Sequence, residues 1–274
     1  MSRAVDVLLA LGFAVTIDLH PGRDVNALLA RNPASAQLVL INGWARLARH
    51  LARWPAERIF VELLNEPATS ESVWRPMSEA LIGEVRGQLP ETYVIVGPAP
   101  YQRWDSLAES QPLSGERIVY ACHYYDPMVF THQGADWEAD SPWGRAAGVP
   151  FPSSAADPAL LALARQASAA GDEPLAVELR QMAAQAWDAE SINRDFAKLA
   201  QWSTRHAAPV MINEFGVLKG KVKRLHRLAW LSATRRAAET HGFGWAHWDY
   251  ATDFGLLDGA GAIDEGVMRA LLSP

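Results

Sequence analysis

Cysteine is nearly absent: Cys122 stands alone among 274 residues. One thiol closes no intrachain disulfide and builds no cysteine cluster for a metal. No run of 18 apolar residues occurs, so no membrane span is expected. Basic charge is also short. The chain sets 25 Lys and Arg against 31 Asp and Glu, a formal net charge of −6, with both signs mixed along its length. That balance excludes the basic footprint of a nucleic-acid binder and a polybasic membrane patch. Met1 is followed by no basic stretch and no long apolar core, so no export signal is expected at the start. No Gly-rich phosphate loop follows the first predicted strand, which argues against a doubly wound nucleotide-binding sheet. No His-x-His or His-Glu-x-x-His spacing occurs, so neither a cofactor nor a catalytic metal is expected.

Tryptophan is what the chain has in excess, 11 residues against 6 Tyr and 8 Phe. Its large apolar area suits a core, and its flat face suits a sugar ring; composition alone favours packing.

Six short runs read as strands. They are Phe13–His20, Arg58–Pro67, Tyr93–Gly97, Ile118–Tyr125, Val210–Phe215 and Phe243–Trp248. Each is strand length and rich in β-branched or aromatic residues. Between them, Ala36–Ala52, Val73–Leu89, Ile192–His206 and Val222–His241 repeat apolar residues at helical spacing. Strands that are apolar nearly throughout, alternating with helices, predict a parallel sheet covered on both faces. The expected fold is α/β, of the (β/α)8 barrel type, with about six strands. Residues 1–274 are expected to form a single catalytic domain. Its longest connection, at about residues 127–190, is too long for a plain loop. The part over Phe130–Pro152 is rich in Trp, Gly, Pro and Asp, and the part over Asp157–Ala189 reads as helical. Trp137 and Trp143 within it are candidate sugar platforms.

The polar residues are phased with the strands. His20 ends the first, Asn65 and Glu66 the second, and His123 and Tyr125 the fourth. Glu214 ends the fifth and Trp248 the sixth. In a (β/α) barrel such ends converge on one mouth, where catalytic groups sit. A lone Glu after a strand is more often half of an ion pair. Two at equivalent strand ends, Glu66 and Glu214, fit the carboxyl pair that glycoside hydrolysis needs. Other polar groups read as structural. Cys122 alternates with His123 and belongs to the core. Glu62 is expected to be a buried carboxylate with a structural partner. The six basic residues from Lys219 to Arg227, counting His226, read as a solvated helix face. Asp253 and Asp258 lie in the last loop, within reach of a substrate.

Five motifs carry a family resemblance. They are Ile17-Asp18-Leu19-His20-Pro21, Leu64-Asn65-Glu66-Pro67, His123-Tyr124-Tyr125-Asp126-Pro127, Asn213-Glu214-Phe215-Gly216 and Trp245-Ala246-His247-Trp248-Asp249-Tyr250. In this order and spacing the sequence resembles glycoside hydrolase family 5, the cellulase family, from about Val5 to Leu257. The motifs correspond to the family's third, fourth, sixth, seventh and eighth strands. The resemblance implies a retaining hydrolase of β-linked glucan, by double displacement, with Glu66 as general acid/base and Glu214 as nucleophile. It also implies that Asn65 binds the sugar 2-hydroxyl and that His123 orients the acid/base or the bound sugar. Tyr125 would hold Glu214, His20 would line the subsite of the attacked sugar, and Trp248 would form its platform. Trp245, three residues earlier, is the competing platform. The implied partner is a polysaccharide or oligosaccharide, and the implied location is secreted or periplasmic.

The match begins at the family's third strand, so an incomplete barrel with strands 3 to 8 is expected. Its open edges would favour self-association. No residue here takes the role of the family's second-strand arginine beside the nucleophile. The alternative function is therefore a glycan-binding protein with weakened turnover.

Overall fold

The computed structural model describes residues 1–273. The chain runs through α1 (Ser2–Ala10), β1 (Val15–Asp18), α2 (Arg23–Arg31), α3 (Pro33–Leu51), β2 (Ile59–Glu62), α4 (Glu71–Gln88), β3 (Tyr93–Val96), α5 (Trp104–Glu109) and β4 (Ile118–Tyr124). It continues through α6 (Met128–Thr131), α7 (Pro142–Arg145), α8 (Pro158–Ala169), α9 (Glu173–Ala183), α10 (Ala189–His206), β5 (Val210–Phe215), α11 (Arg224–Thr240), β6 (Gly244–His247) and α12 (Glu265–Leu272). The strands hydrogen-bond in chain order, β1 to β6, in one parallel sheet. Six strands stand where a closed (β/α)8 barrel has eight, as the sequence predicts. The chain divides into two compact units, one of residues 1–123 with 201–211, the other of residues 124–200 with 212 onward.

In the first unit, β1 to β4 pair in parallel, with Asp18 opposite Glu62, Val61 opposite Val94, and Val94 opposite Ile118. The register continues past the strand ends. Leu63 N–H donates to Ile95 O at 3.2 Å and Asn65 N–H to Leu19 O at 3.0 Å. Helix α3 starts where Asn32 Oδ1 accepts from Ser35 N–H at 3.1 Å and Pro33 presets the first turn. It buries Ala36, Leu40, Trp44, Ala48 and Leu51, one stripe at three- and four-residue spacing. Trp44 and Trp74 are fully buried, and each indole N–H finds a backbone carbonyl: Leu63 O at 2.9 Å and Gly97 O at 2.8 Å. These tryptophans are packing residues whose polar edge ties a helix to a strand end.

In the second unit, α8 and α9 form the helical part of the long connection. Asp157 and Asp172 cap their N-termini, and Gly171 (φ +80°) makes the turn between them. Ser153 and Trp187 exchange two backbone hydrogen bonds of 2.8 Å, which close the base of this hairpin. The first part of the long connection carries two single-turn helices, α6 and α7. Helices α1, α2, α5 and α12 are not foreseen from periodicity. They are six to nine residues long, too short for a 3.6-residue repeat to stand out.

One expectation is corrected. Arg227 does not belong to a solvated face; it is 3% exposed. Its guanidinium donates to Val217 O at 3.0 Å, Phe254 O at 2.6 Å and Gly255 O at 3.0 Å. Basic residues at helical spacing imply a solvated face, but spacing and charge do not reveal that three carbonyls lie beneath one residue of it. Burial lowers its pKa to about 10, so it stays charged at neutral pH. Arg227→Met should leave all three carbonyls without this donor and cost about 3 kcal/mol or more, read as a drop in the urea midpoint. A midpoint within error of the parent would show that water replaces the guanidinium.

His247 on β6 has a buried Nε2 with no hydrogen-bond partner. Burial, and then the charge of Arg227, hold its pKa down at about 4. The unfolded chain takes up this proton near pH 6.5, the folded chain only near pH 4. Between those values acid therefore favours unfolding, by up to about 3 kcal/mol. His247→Asn should flatten that part of the stability-against-pH curve, measured by urea titration between pH 7 and pH 4.

Candidate active site

The first unit assembles a hydrogen-bonded group around Glu66. Beyond β2 the chain turns sharply, and Glu66 takes φ +45°, a left-handed conformation that a non-glycine residue adopts at a cost of about 1–3 kcal/mol. Something must hold it there. Glu66 N–H donates to Gln102 Oε1 at 2.7 Å, and Gln102 Nε2 donates to Glu62 Oε1 at 2.8 Å. Gln102 is fully buried and Glu62 is 4% exposed. Glu62 is thus the buried carboxylate expected from the sequence, and the Gln102 amide is one of its partners. Gln102 itself lies in a loop, with no motif around it to mark it in the sequence.

The Glu66 side chain meets His123, whose Nδ1 lies 2.8 Å from Glu66 Oε1. The imidazole is 3% exposed and the carboxyl 38%. The histidine is therefore fixed in the wall while the carboxyl stays open to a substrate. His123 N–H donates to Gln102 O at 2.8 Å, so one residue anchors both partners of this pair. Asn65 is 7% exposed, placed by its backbone bond to Leu19. His20 stands at the end of β1 with its Nδ1 2.6 Å from Asp18 Oδ2, about half exposed. Cys122 is fully buried, as expected of a core residue, and burial pushes its thiol pKa up. That is the opposite of what a nucleophilic thiol needs.

The second unit assembles a different environment around Glu214, near the end of β5 and 9% exposed. Tyr125 Oη donates to Glu214 Oε1 at 2.7 Å. The Tyr125 ring is held edge-on by His132 at 4.8 Å and Phe254 at 6.0 Å between centroids. Ala135, Leu218 and Phe254 form a buried cluster against which Tyr125, Trp143 and Trp248 pack. Trp248 N–H donates to Phe215 O at 2.9 Å, which extends the β5–β6 pairing to the level of Glu214. This close approach needs Gly216. A Cβ there would fall 2.4 Å from Trp248 O and 3.0 Å from Phe254 Cδ1. Trp245 goes elsewhere, its indole N–H 3.3 Å from Glu239 Oε1 on α11 and its ring edge-on to Phe215. Trp137 is 55% exposed and tilted against Phe254 at 6.1 Å, whereas Trp143 is partly buried. Asp258 serves its own loop, accepting from Ala260 N–H and Ala262 N–H at 2.9 Å each.

Each glutamate thus has its own hydrogen-bond partner: an imidazole for Glu66 and a phenol for Glu214. His132 and Phe254, which hold the phenol ring, were not singled out in the sequence. Their roles depend on contacts between distant loops.

The chain is similar to known proteins in sequence and in fold. Endoglucanase 3 of Fibrobacter succinogenes is 28% identical over 268 residues, covering 93% of this chain and 39% of that protein. Cellodextrinase A of Ruminococcus flavefaciens is 26% identical over 150 residues, covering 51% of this chain and 44% of that protein. The chain therefore spans less than half the length of these curated relatives. Among solved structures, a hyperthermophilic endo-β-1,4-glucanase in complex with substrate superposes with a TM-score of 0.79 at 25% identity, covering 100% of this chain and 76% of that one. The Clostridial cellulose synthase subunit Z from Clostridioides difficile shares the fold, with a TM-score of 0.79 at 22% identity, over 99% of this chain and 78% of that one. The family model described as cellulase (glycosyl hydrolase family 5) matches residues 1–253, and the chain belongs to that family.

Proposed function

We propose that the chain is a retaining glycoside hydrolase acting on β-1,4-linked glucan, with Glu66 as general acid/base and Glu214 as nucleophile. The observation that carries this reading is the Tyr125 hydroxyl donated to Glu214 at 2.7 Å. A donor aimed at one carboxylate oxygen favours the charged form and turns the other oxygen to attack. Glu66 faces an imidazole instead, which orients the carboxyl that must give up a proton and later regain one. Family membership and the names of the endoglucanase relatives support the substrate class.

The reaction then follows in two displacements. Glu214 attacks the anomeric carbon while Glu66 protonates the departing glycosidic oxygen. The glucan leaves with its new hydroxyl, and the sugar remains as an ester of Glu214. Glu66, now a carboxylate, takes a proton from water, which attacks the same carbon and releases Glu214. Two inversions give net retention. Asn65 would hydrogen-bond the 2-hydroxyl, a contact that tightens in the oxocarbenium-like transition state. His20 and Trp248 would line the subsite of the attacked sugar. A glucan polymer does not cross a membrane, so this activity would be exercised outside the cytoplasm. Among the described residues no helix is long and apolar enough to cross one.

Proton NMR of the first-formed product should show the β anomer; initial appearance of the α anomer would overturn the retaining assignment. Glu214→Ala should abolish turnover, and azide should restore part of it by giving an α-glycosyl azide. Glu66→Ala should cut kcat/KM on cellooligosaccharides by about 10²–10⁴-fold and spare aryl glycosides with activated leaving groups. Equal losses on the two would remove Glu66 from the acid role.

Trp137 is the exposed aromatic face of the long connection and is proposed as a remote sugar platform; Trp143 is the weaker candidate because it is partly buried. Trp137→Ala should raise KM for a soluble β-glucan several-fold, by about the 0.5–1.5 kcal/mol of a stacked ring, and leave a short aryl cellobioside unaffected. Identical effects on both substrates would make it a packing residue.

A further inference from the structure

Gln102 takes no part in bond making, yet three of its atoms bind the proposed acid/base and residues around it. Its Oε1 accepts the Glu66 N–H at 2.7 Å, its Nε2 donates to Glu62 Oε1 at 2.8 Å, and its backbone oxygen accepts the His123 N–H at 2.8 Å. The orientation of the amide is forced. If it flipped, its NH2 would face another donor, the Glu66 N–H, and its oxygen would face a carboxylate oxygen of Glu62. The buried Glu62 carboxylate therefore acts as the stop that keeps Oε1 pointing at Glu66. Gln102 is fully buried and takes φ +49°. Gly97 makes room for it, since a Cβ there would lie 2.4 Å from Gln102 Cγ and 2.5 Å from its Nε2. Plain packing would be served as well by an apolar side chain of the same length. A buried amide with both ends engaged points to a specific geometric task.

Resting on the hydrolase reading above, we propose that Gln102 is a positioning residue for the acid/base, holding Glu66 in its left-handed turn and in register with His123. Without it, the Glu66 N–H loses its acceptor, the turn relaxes toward ordinary backbone, and the carboxyl moves away from His123 and from the glycosidic oxygen it must protonate. Misplacement of about 1 Å is enough to cost on the order of 100-fold in rate. The defect falls on proton transfer, so it depends on how much the leaving group needs a proton. Gln102→Glu makes a sharper case. It keeps an acceptor for Glu66 N–H, but the new carboxyl faces Glu62, and the two must share one proton to coexist.

The test compares kcat/KM for cellotetraose and for 2,4-dinitrophenyl β-cellobioside, per active site counted by trapping with a 2-deoxy-2-fluoro cellobioside. Counting active sites removes any effect of partial unfolding. Gln102→Met should lose about 100-fold on cellotetraose and less than about threefold on the activated substrate. Gln102→Glu should be impaired at pH 7 and recover on cellotetraose as the pH falls toward 5 by a clearly larger factor than the parent gains over the same range. Gly97→Ala, which crowds the Gln102 side chain without touching Glu66, should reproduce the selective loss if the Met variant does not fold. Equal losses on both substrates, or a Gln102→Glu variant whose pH profile matches the parent, would overturn the positioning role while leaving the hydrolase reading intact. A parent chain that hydrolyses neither substrate would sink the hydrolase reading, and this proposal with it.

Discussion

A parallel strand covered on both faces has no place for a polar side chain until it leaves the core. That constraint organises this protein. β2 presents Ile59 and Val61 to the interior, and β3 presents Val94, Ile95 and Val96, all nearly inaccessible. The polar residues of the motifs therefore gather where the strands end. Glu62, the last residue of β2, shows what a polar group still inside the core requires: its carboxylate is met by the amide of a buried glutamine. The glutamine in turn reaches the first residue that can be both charged and open, Glu66.

The two glutamates differ less in sequence than in what surrounds them. Both follow an asparagine and both end apolar runs. The fold gives Glu66 a histidine held in the wall and gives Glu214 a phenol held by aromatic edges. Chemistry that needs one proton donor and one nucleophile needs such an asymmetry. In each unit the glutamate's partner is fixed by groups that would not contact a sugar: Gln102 through its backbone in the first, His132 and Phe254 through ring packing in the second. Preorganisation of this kind is expected where geometry must be held to within a fraction of an ångström.

The loops after β5 and β6 are joined by cationic side chains that donate to carbonyls. Arg227 spans them from α11, and Lys219 adds Nζ–H donation to Thr252 O at 3.0 Å and Leu257 O at 2.6 Å. Gly216 removes the side chain that would keep these loops apart. The tryptophans divide the same way. Trp44, Trp74, Trp202 and Trp230 are buried and donate to backbone carbonyls, while Trp137 keeps an open face.

Much of this was legible in the chain itself. Strand positions followed from short apolar runs, because a strand buried on both faces must be apolar nearly throughout. The long helices followed from stripes at three- and four-residue spacing, as in α3. The phasing of His20, Asn65, Glu66, His123, Tyr125, Glu214 and Trp248 with strand ends followed from the same rule, since core strands expel polar groups to their termini. The short helices were not legible, because six to nine residues hold too few turns for a period. Neither were Gln102, the burial of Arg227, or the aromatic support of Tyr125. Each depends on which loop meets which, over separations of 36 residues from Gln102 to Glu66 and 28 from Arg227 to Gly255. Local pattern determined which residues lie at the ends of the strands. Only the tertiary structure decided which partner each of them meets, because a hydrogen bond is specified by position in space and carries no periodic signature along the chain.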